Sequence, residues 1–151
     1  MRKIEMIDTI HGARGCREKQ DDHTRLPPDT YHIVLTIAKS YYTLLRRRRE
    51  IDDAIIWESR QVDGPPGGAP GNPTARKAER LITKKDQNER KIQAIEKAWN
   101  EMSDDTEREL IERNLFQKIP MNWINLPMSE RSMKRVRRRF LRCLAEELGE
   151  L

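Results

Sequence analysis

Between Ser129 and Arg142 the chain carries seven Lys or Arg side chains, at positions 131, 134, 135, 137, 138, 139 and 142, against one acid, Glu130. That is a local charge of +6 in a chain whose total is +5, so everything outside the segment sums to −1. Cations gathered in this way make and break no covalent bonds. They neutralise phosphates and donate hydrogen bonds to base edges. Whether they act together depends on spacing. At about 100° per residue, Arg131, Arg135, Arg138 and Arg142 fall within about 60° of one another on a helix. Met133, Val136, Phe140 and Leu144 fall within about 80°, nearly opposite. A helix anchored by its apolar back and cationic over its first four turns is what a major-groove reader needs.

The spacing divides the labour. Glu130, Arg131, Ser132 and Arg135 sit at the N-terminal end, which in such readers reaches base edges. Lys134, Arg138, Arg139 and Arg142 flank them and are expected to contact phosphates, which positions the helix without reading sequence. Arg137 lies toward the apolar side and is expected to pair with an acid such as Asp104 or Glu107. Acids interleaved through the stripe would mark an ordinary solvated face, and apart from Glu130 they are missing. Ser129 is a suitable N-cap, and Leu126 and Pro127 ahead of it keep an earlier helix from running through.

The elements that must position this helix are themselves helical. Charged residues make up 36% of the 151, aromatics 5%, and mean hydropathy is −0.91. So thin an apolar supply favours long helices sharing a narrow seam. One helix is expected over 29–60, with Val34, Ile37, Tyr41, Leu44, Ile51 and Ile55 stepping three and four and Arg48 filling the gap. The Gly- and Pro-rich stretch 61–72 cannot be helix or central strand and is expected to be a flexible linker. Asn72 as N-cap and Pro73 in the first turn open a second long helix, with Ala78, Leu81, Lys85, Asn88, Ile92, Ile95, Trp99 and Met102 on its seam. Lys85 and Asn88 interrupt that seam, which weakens it and can fix register. The two seams admit an antiparallel hairpin within one chain, or a homodimer interface alone or alongside that hairpin.

Ser103 is expected to cap a third helix, Asp104 to about Phe116, with acids crowding its first turn. Trp123 and Ile124 are expected core anchors before the arginine helix, and Trp57 and Trp99 seam or core anchors. Residues 1–28 read as an irregular arm. The fold class is therefore all-α: two long heptad-patterned helices joined by a Gly/Pro-rich loop, then a helix-turn-helix unit within 73–151.

Other chemistries find little support. His11, Cys16 and His23 match no zinc spacing, and the glycine-rich GPPGGAPG lacks the Lys and Ser or Thr of a phosphate loop. No constellation of His, Cys or Ser suggests an active site, so no enzyme and no cofactor are expected. Arg46 to Arg49 spread around their helix, with Glu50, Asp52 and Asp53 one turn on to pair with them, so a partly neutralised solvated patch is expected, with a second DNA or RNA backbone contact as the alternative. Two distant cysteines, Cys16 and Cys143, are too few for a disulfide framework and fit a reducing compartment, with Cys143 packed against the fold. No apolar run is long enough for a membrane span and no signal-peptide core is visible, so a soluble, cytoplasmic protein is expected.

From Ile92 onward the order IQAIEKAWNEMSDDTERELIERNLF, an aromatic-isoleucine segment, then SERSMKRVRRRFLRCLAEEL resembles the sigma-factor region-4 type of helix-turn-helix. More specifically, the chain resembles phage transcriptional regulators of the RinA/ArpU type. The likeness rests on the Asn72-Pro73-Thr74 restart, the pattern of Ser129, Arg131, Ser132 and Arg135, and the ending from Leu144 to Glu150. It implies an activator of phage late genes in a bacterial host, binding promoter DNA and contacting host RNA polymerase. A small terminase-like packaging subunit and a polymerase accessory protein that binds no DNA are the rival readings.

Overall fold

The computed structural model describes residues 25–61 and 73–151, and all of its regular structure is helical. The helices are α1 (Pro28–Lys39), α2 (Tyr41–Gln61), α3 (Pro73–Asn100), α4 (Asp105–Ile111) and α5 (Glu130–Leu148). A π-helical turn, Glu112–Phe116, extends α4, and a single 3-10 turn, Met121–Trp123, stands between it and α5. The linker from 62 to 72, the cap at Asn72, and the arm up to residue 24 with His11, Cys16 and His23 lie outside the described residues.

The helix expected over 29–60 is broken at Ser40. Its hydroxyl donates to the Ile37 carbonyl at 2.7 Å, and its φ and ψ of −91° and 8° leave the helical well. A serine bonding back to its own turn competes with the helix ladder and bends it. The bend separates two jobs. α1 leans against α5, burying Val34 and Ala38, while α2 runs antiparallel to α3. The hairpin within one chain is formed. Its cross-links are Arg48 to Glu89 at 3.1 Å, Asp52 to Lys85 at 3.1 Å and Glu58 to Lys77 at 2.7 Å. Arg48 thus fills the seam gap by reaching across to acids on α3, and Arg46 pairs with Glu50 at 3.7 Å.

Asn88 explains the polar break in the second seam. It is buried, and its amide donates to the Leu44 carbonyl at 2.9 Å. An amide left unpaired there would cost roughly 1–3 kcal/mol, so a shift of α3 along α2 is penalised.

At the other end of α3, one core holds the helices together. Ile92, Ile95, Ala98 and Met102 meet Leu110, Ile111 and Leu115, and α5 adds Phe140, Leu141 and Leu144. Phe116 packs edge-on against Phe140 with centroids 6.1 Å apart, and tilted on Tyr41 at 4.6 Å. Burial holds the Tyr41 hydroxyl above its ordinary pKa, and the Glu96 carboxylate adds to the shift. Asp104, not Ser103, caps α4, accepting from the Glu107 amide at 2.9 Å, while the Ser103 amide donates to the Glu107 side chain at 2.8 Å. Trp99 is half-buried with its indole N–H on the Arg108 carbonyl at 2.9 Å, and Arg108 in turn donates to the Met102 carbonyl at 3.1 Å. This mutual clasp fixes the α3–α4 corner.

Two expected anchors are not anchors. Trp57 is 60% exposed and Trp123 76%. In the tight turn at 121–123, Met121 and Ile124 face the fold three residues apart, so Trp123 between them is turned outward. Cys143 is buried as expected, and it is disulfide-bonded. Among the described residues no helix is long and apolar enough to cross a membrane.

Candidate nucleic-acid interface

α5 starts where the sequence places it. The Ser129 hydroxyl accepts from the Ser132 amide at 3.1 Å, satisfying one of the orphan donors of the first turn. It ends at Gly149, whose φ of 75° is the left-handed closure that glycine adopts without steric cost. All four residues of the apolar stripe are buried: Met133, Val136, Phe140 and Leu144. The back of the helix is therefore seated in the fold, against α3, α1, α4 and the 3-10 turn.

The opposite face changes character along its length. Arg131 and Arg135 are exposed and Arg138 is half-exposed, but the Arg142 side chain keeps only 19% of its surface and lies 3.5 Å from Glu146. The cause is a widening buried arc. In the first half of α5 only Met133 and Val136 are buried, whereas Phe140, Leu141, Cys143, Leu144 and Ala145 leave the second half covered on most sides. The cationic stripe is thus an open edge for about two turns and a packed one thereafter.

The expected site residues divide between that edge and the fold. Glu130 is exposed and pairs one turn on with Lys134 at 3.3 Å, both side chains well solvated. Ser132 is half-buried, and its hydroxyl oxygen accepts from Ser129 at 3.0 Å, so it belongs to the cap more than to the outer edge. Arg139, expected at a phosphate, is turned inward. Its guanidinium pairs with the Glu107 carboxylate and lies 3.4 Å from the Ser103 hydroxyl, and the two charged side chains are 15% and 13% exposed. Arg137, expected on an acid, instead donates to the Tyr31 hydroxyl at 3.2 Å. The two arginines lie on opposite flanks of the buried stripe, and the acids of α4 stand on the Arg139 side. Arg139 and Arg142 are therefore corrected from outward phosphate contacts to side chains largely enclosed by the fold.

No family model, curated protein or solved structure matches the chain. The interface consequently rests on its own geometry. Its outward cations are Arg131, Lys134, Arg135 and Arg138, on a helix that is rigidly backed and capped at both ends.

The turn carrying exposed Trp123 packs against α5. The three-residue step from Met121 to Ile124, between Pro120 and Pro127, is the pattern that turns Trp123 outward. The segment joining α4 with its π-turn to α5 is also long, from Gln117 to Ser129, where a helix-turn-helix commonly uses three or four residues. It is pinned by Asn114, whose amide donates to the Ile119 carbonyl at 3.0 Å, and by Lys118 in the left-handed region at φ 60°. Among the described residues no cluster of His, Cys, Asp or Glu could hold a metal ion.

Proposed function

We propose that the chain is a sequence-specific DNA-binding transcriptional regulator of the RinA/ArpU type, acting on phage or prophage late genes together with host RNA polymerase in the bacterial cytoplasm. It is a binding protein and not an enzyme, it needs no cofactor, and it engages duplex DNA as two copies. The observation that carries this reading is the first half of α5. Met133 and Val136 seat it in the core while Arg131, Lys134 and Arg135 face solvent on the other side. A helix presented in this way enters a major groove with its N-terminal residues on base edges. Arg131 and Arg135 are the base readers, and Lys134 and Arg138 hold the backbone.

Selection of bound sequences from a random duplex pool, followed by titration against salt, tests the reading. Four cations facing the duplex give a slope of log K against log salt near −3.6 for each copy. Arg131→Ala or Arg135→Ala should lower the preference for the selected site by ~1–3 kcal/mol, whereas Lys134→Ala should weaken selected and random DNA alike. A slope near zero, or equal loss of specific and random binding in all three variants, removes the reading.

A further inference from the structure

Beyond the contact of Asn88 with Leu44, the seam of the hairpin is never sealed. No described side chain from Ile51 to Arg60, or from Pro73 to Gln87, is fully buried, and Ile56 and Ile82 stand 51% and 54% exposed. On one side of this distal end a groove runs between the helices, lined by Ile55, Ser59, Ala78, Leu81 and Ile82. Flanking it are two exposed stripes, each stepping four, three, four. On α2 the stripe is Arg49, Asp53, Ile56 and Arg60, and on α3 it is Ala75, Glu79, Ile82 and Asp86. Each has an isoleucine in its middle. Around that isoleucine, α2 offers two cations and α3 offers two anions.

We propose that this face docks a second copy of the chain, with hairpin tips aligned and α2 of each copy lying over α3 of the other. This deepens the two-copy part of the reading above and does not depend on DNA recognition. The pairing of Asp52 with Lys85 and Glu58 with Lys77 sets the heights within one hairpin, and places Ile56 and Ile82 nearly level. A two-fold axis running along the hairpin then brings Ile56 of each copy onto Ile82 of the other. The same rotation sets Arg60 beside the partner's Glu79 and Arg49 beside the partner's Asp86. Asp53 opposes this, but the α2 stripe still sums to +1 against −2 on α3. The other face-to-face arrangement, with tips pointing apart, lays α2 on α2 and α3 on α3. On α3 it sets Glu79 against the partner's Asp86, and on α2 only Arg60 gains a partner, the other copy's Asp53, so the aligned pair, with Arg60 beside Glu79 and Arg49 beside Asp86 in both halves, is the better matched.

The face is about 20 Å long and about 20 Å wide, from the helical rise and the spacing of packed helices. It therefore covers about 800 Å² across both copies, below the ~1,200–2,000 Å² of a stable interface. The expected dimer is therefore weak and reversible. Aligned tips place both α5 helices at the same end of the assembly.

Sedimentation velocity of the full chain without DNA, from about 1 to about 500 µM, tests the proposal. The expected result is a monomer–dimer equilibrium that Ile56→Glu and Ile82→Glu each weaken by at least ~10-fold. Both sites are half-exposed, so helicity by circular dichroism should be unchanged, and the milder Ile56→Ser should act in the same direction. Arg60→Glu alone and Glu79→Arg alone should each weaken the dimer, and the two together should restore it, since each copy then offers the reversed partner. A monomer at every concentration, as when residues of the same chain fill the groove, overturns the proposal. So does a ring larger than two, a dimer indifferent to Ile56→Glu, or a double charge reversal that fails to recover.

Discussion

Arg139 separates a structural role from a DNA-contacting one, because the two assign it opposite consequences. Its guanidinium and the Glu107 carboxylate form an ion pair whose side chains are 15% and 13% exposed. Removing one partner of a fully buried pair typically costs ~3–5 kcal/mol, most of it from the charge left behind. Here the stranded carboxylate keeps some solvent and its 2.8 Å bond from the Ser103 amide. The expected cost of Arg139→Ala is therefore ~2–3 kcal/mol, which for a domain of this size lowers the melting temperature by about 8 °C. Replacing both partners with apolar groups, Arg139→Met with Glu107→Leu, leaves no stranded charge and should recover at least half of the loss. Differential scanning calorimetry of the single and double variants reads this directly. Salt titration of DNA binding supplies the contrast, since an inward arginine releases no counterions and the slope should not change. An unshifted melting temperature together with a slope reduced by about 0.9 would refute the assignment and return Arg139 to the phosphate backbone.

Two further outcomes follow from the packing and the backbone. Phe140 is fully buried against Phe116, so Phe140→Ala should destabilise the fold by ~3–5 kcal/mol and abolish DNA binding at temperatures where the fold no longer holds, as denaturant midpoints would show. Lys118 sits at φ 60°, where a side chain is strained, so Lys118→Gly should stabilise by about 0.5–1 kcal/mol in the same measurement; a loss of stability would mean that the lysine side chain contributes more than its backbone costs.

The all-α fold and the seating of α5 were legible because spacing alone carries them. Met133, Val136, Phe140 and Leu144 recur at helical period, and the cap at Ser129 is a local hydrogen bond. The fate of the arginines was only half legible. A helical wheel treats every turn of a helix as equally buried, but the C-terminal half of α5 is covered on most sides, so Arg142 is largely enclosed, and Glu107 of α4 draws Arg139 inward. Nothing local distinguishes the flank that faces the acids of α4, which is why Arg139 takes the acid expected for Arg137 and Arg137 turns to the Tyr31 hydroxyl. Ser40 presents the same difficulty in another form. The heptad steps continue smoothly through it, and only the competing demands of α5 on α1 and of α3 on α2 give the bend a purpose. Trp57 and Trp123 have side chains suited to a core, but the residues around them provide no surface to cover them.

The amide of Asn88 gives the hairpin a fixed gauge. With 21 residues in α2 the rod is about 30 Å long, and sliding its two strands of helix past each other would strand a buried donor. Whatever is grasped at the far tip is held at a constant span from the cationic edge, so the molecule behaves as a calliper whose opening is set by one side chain in mid-arm.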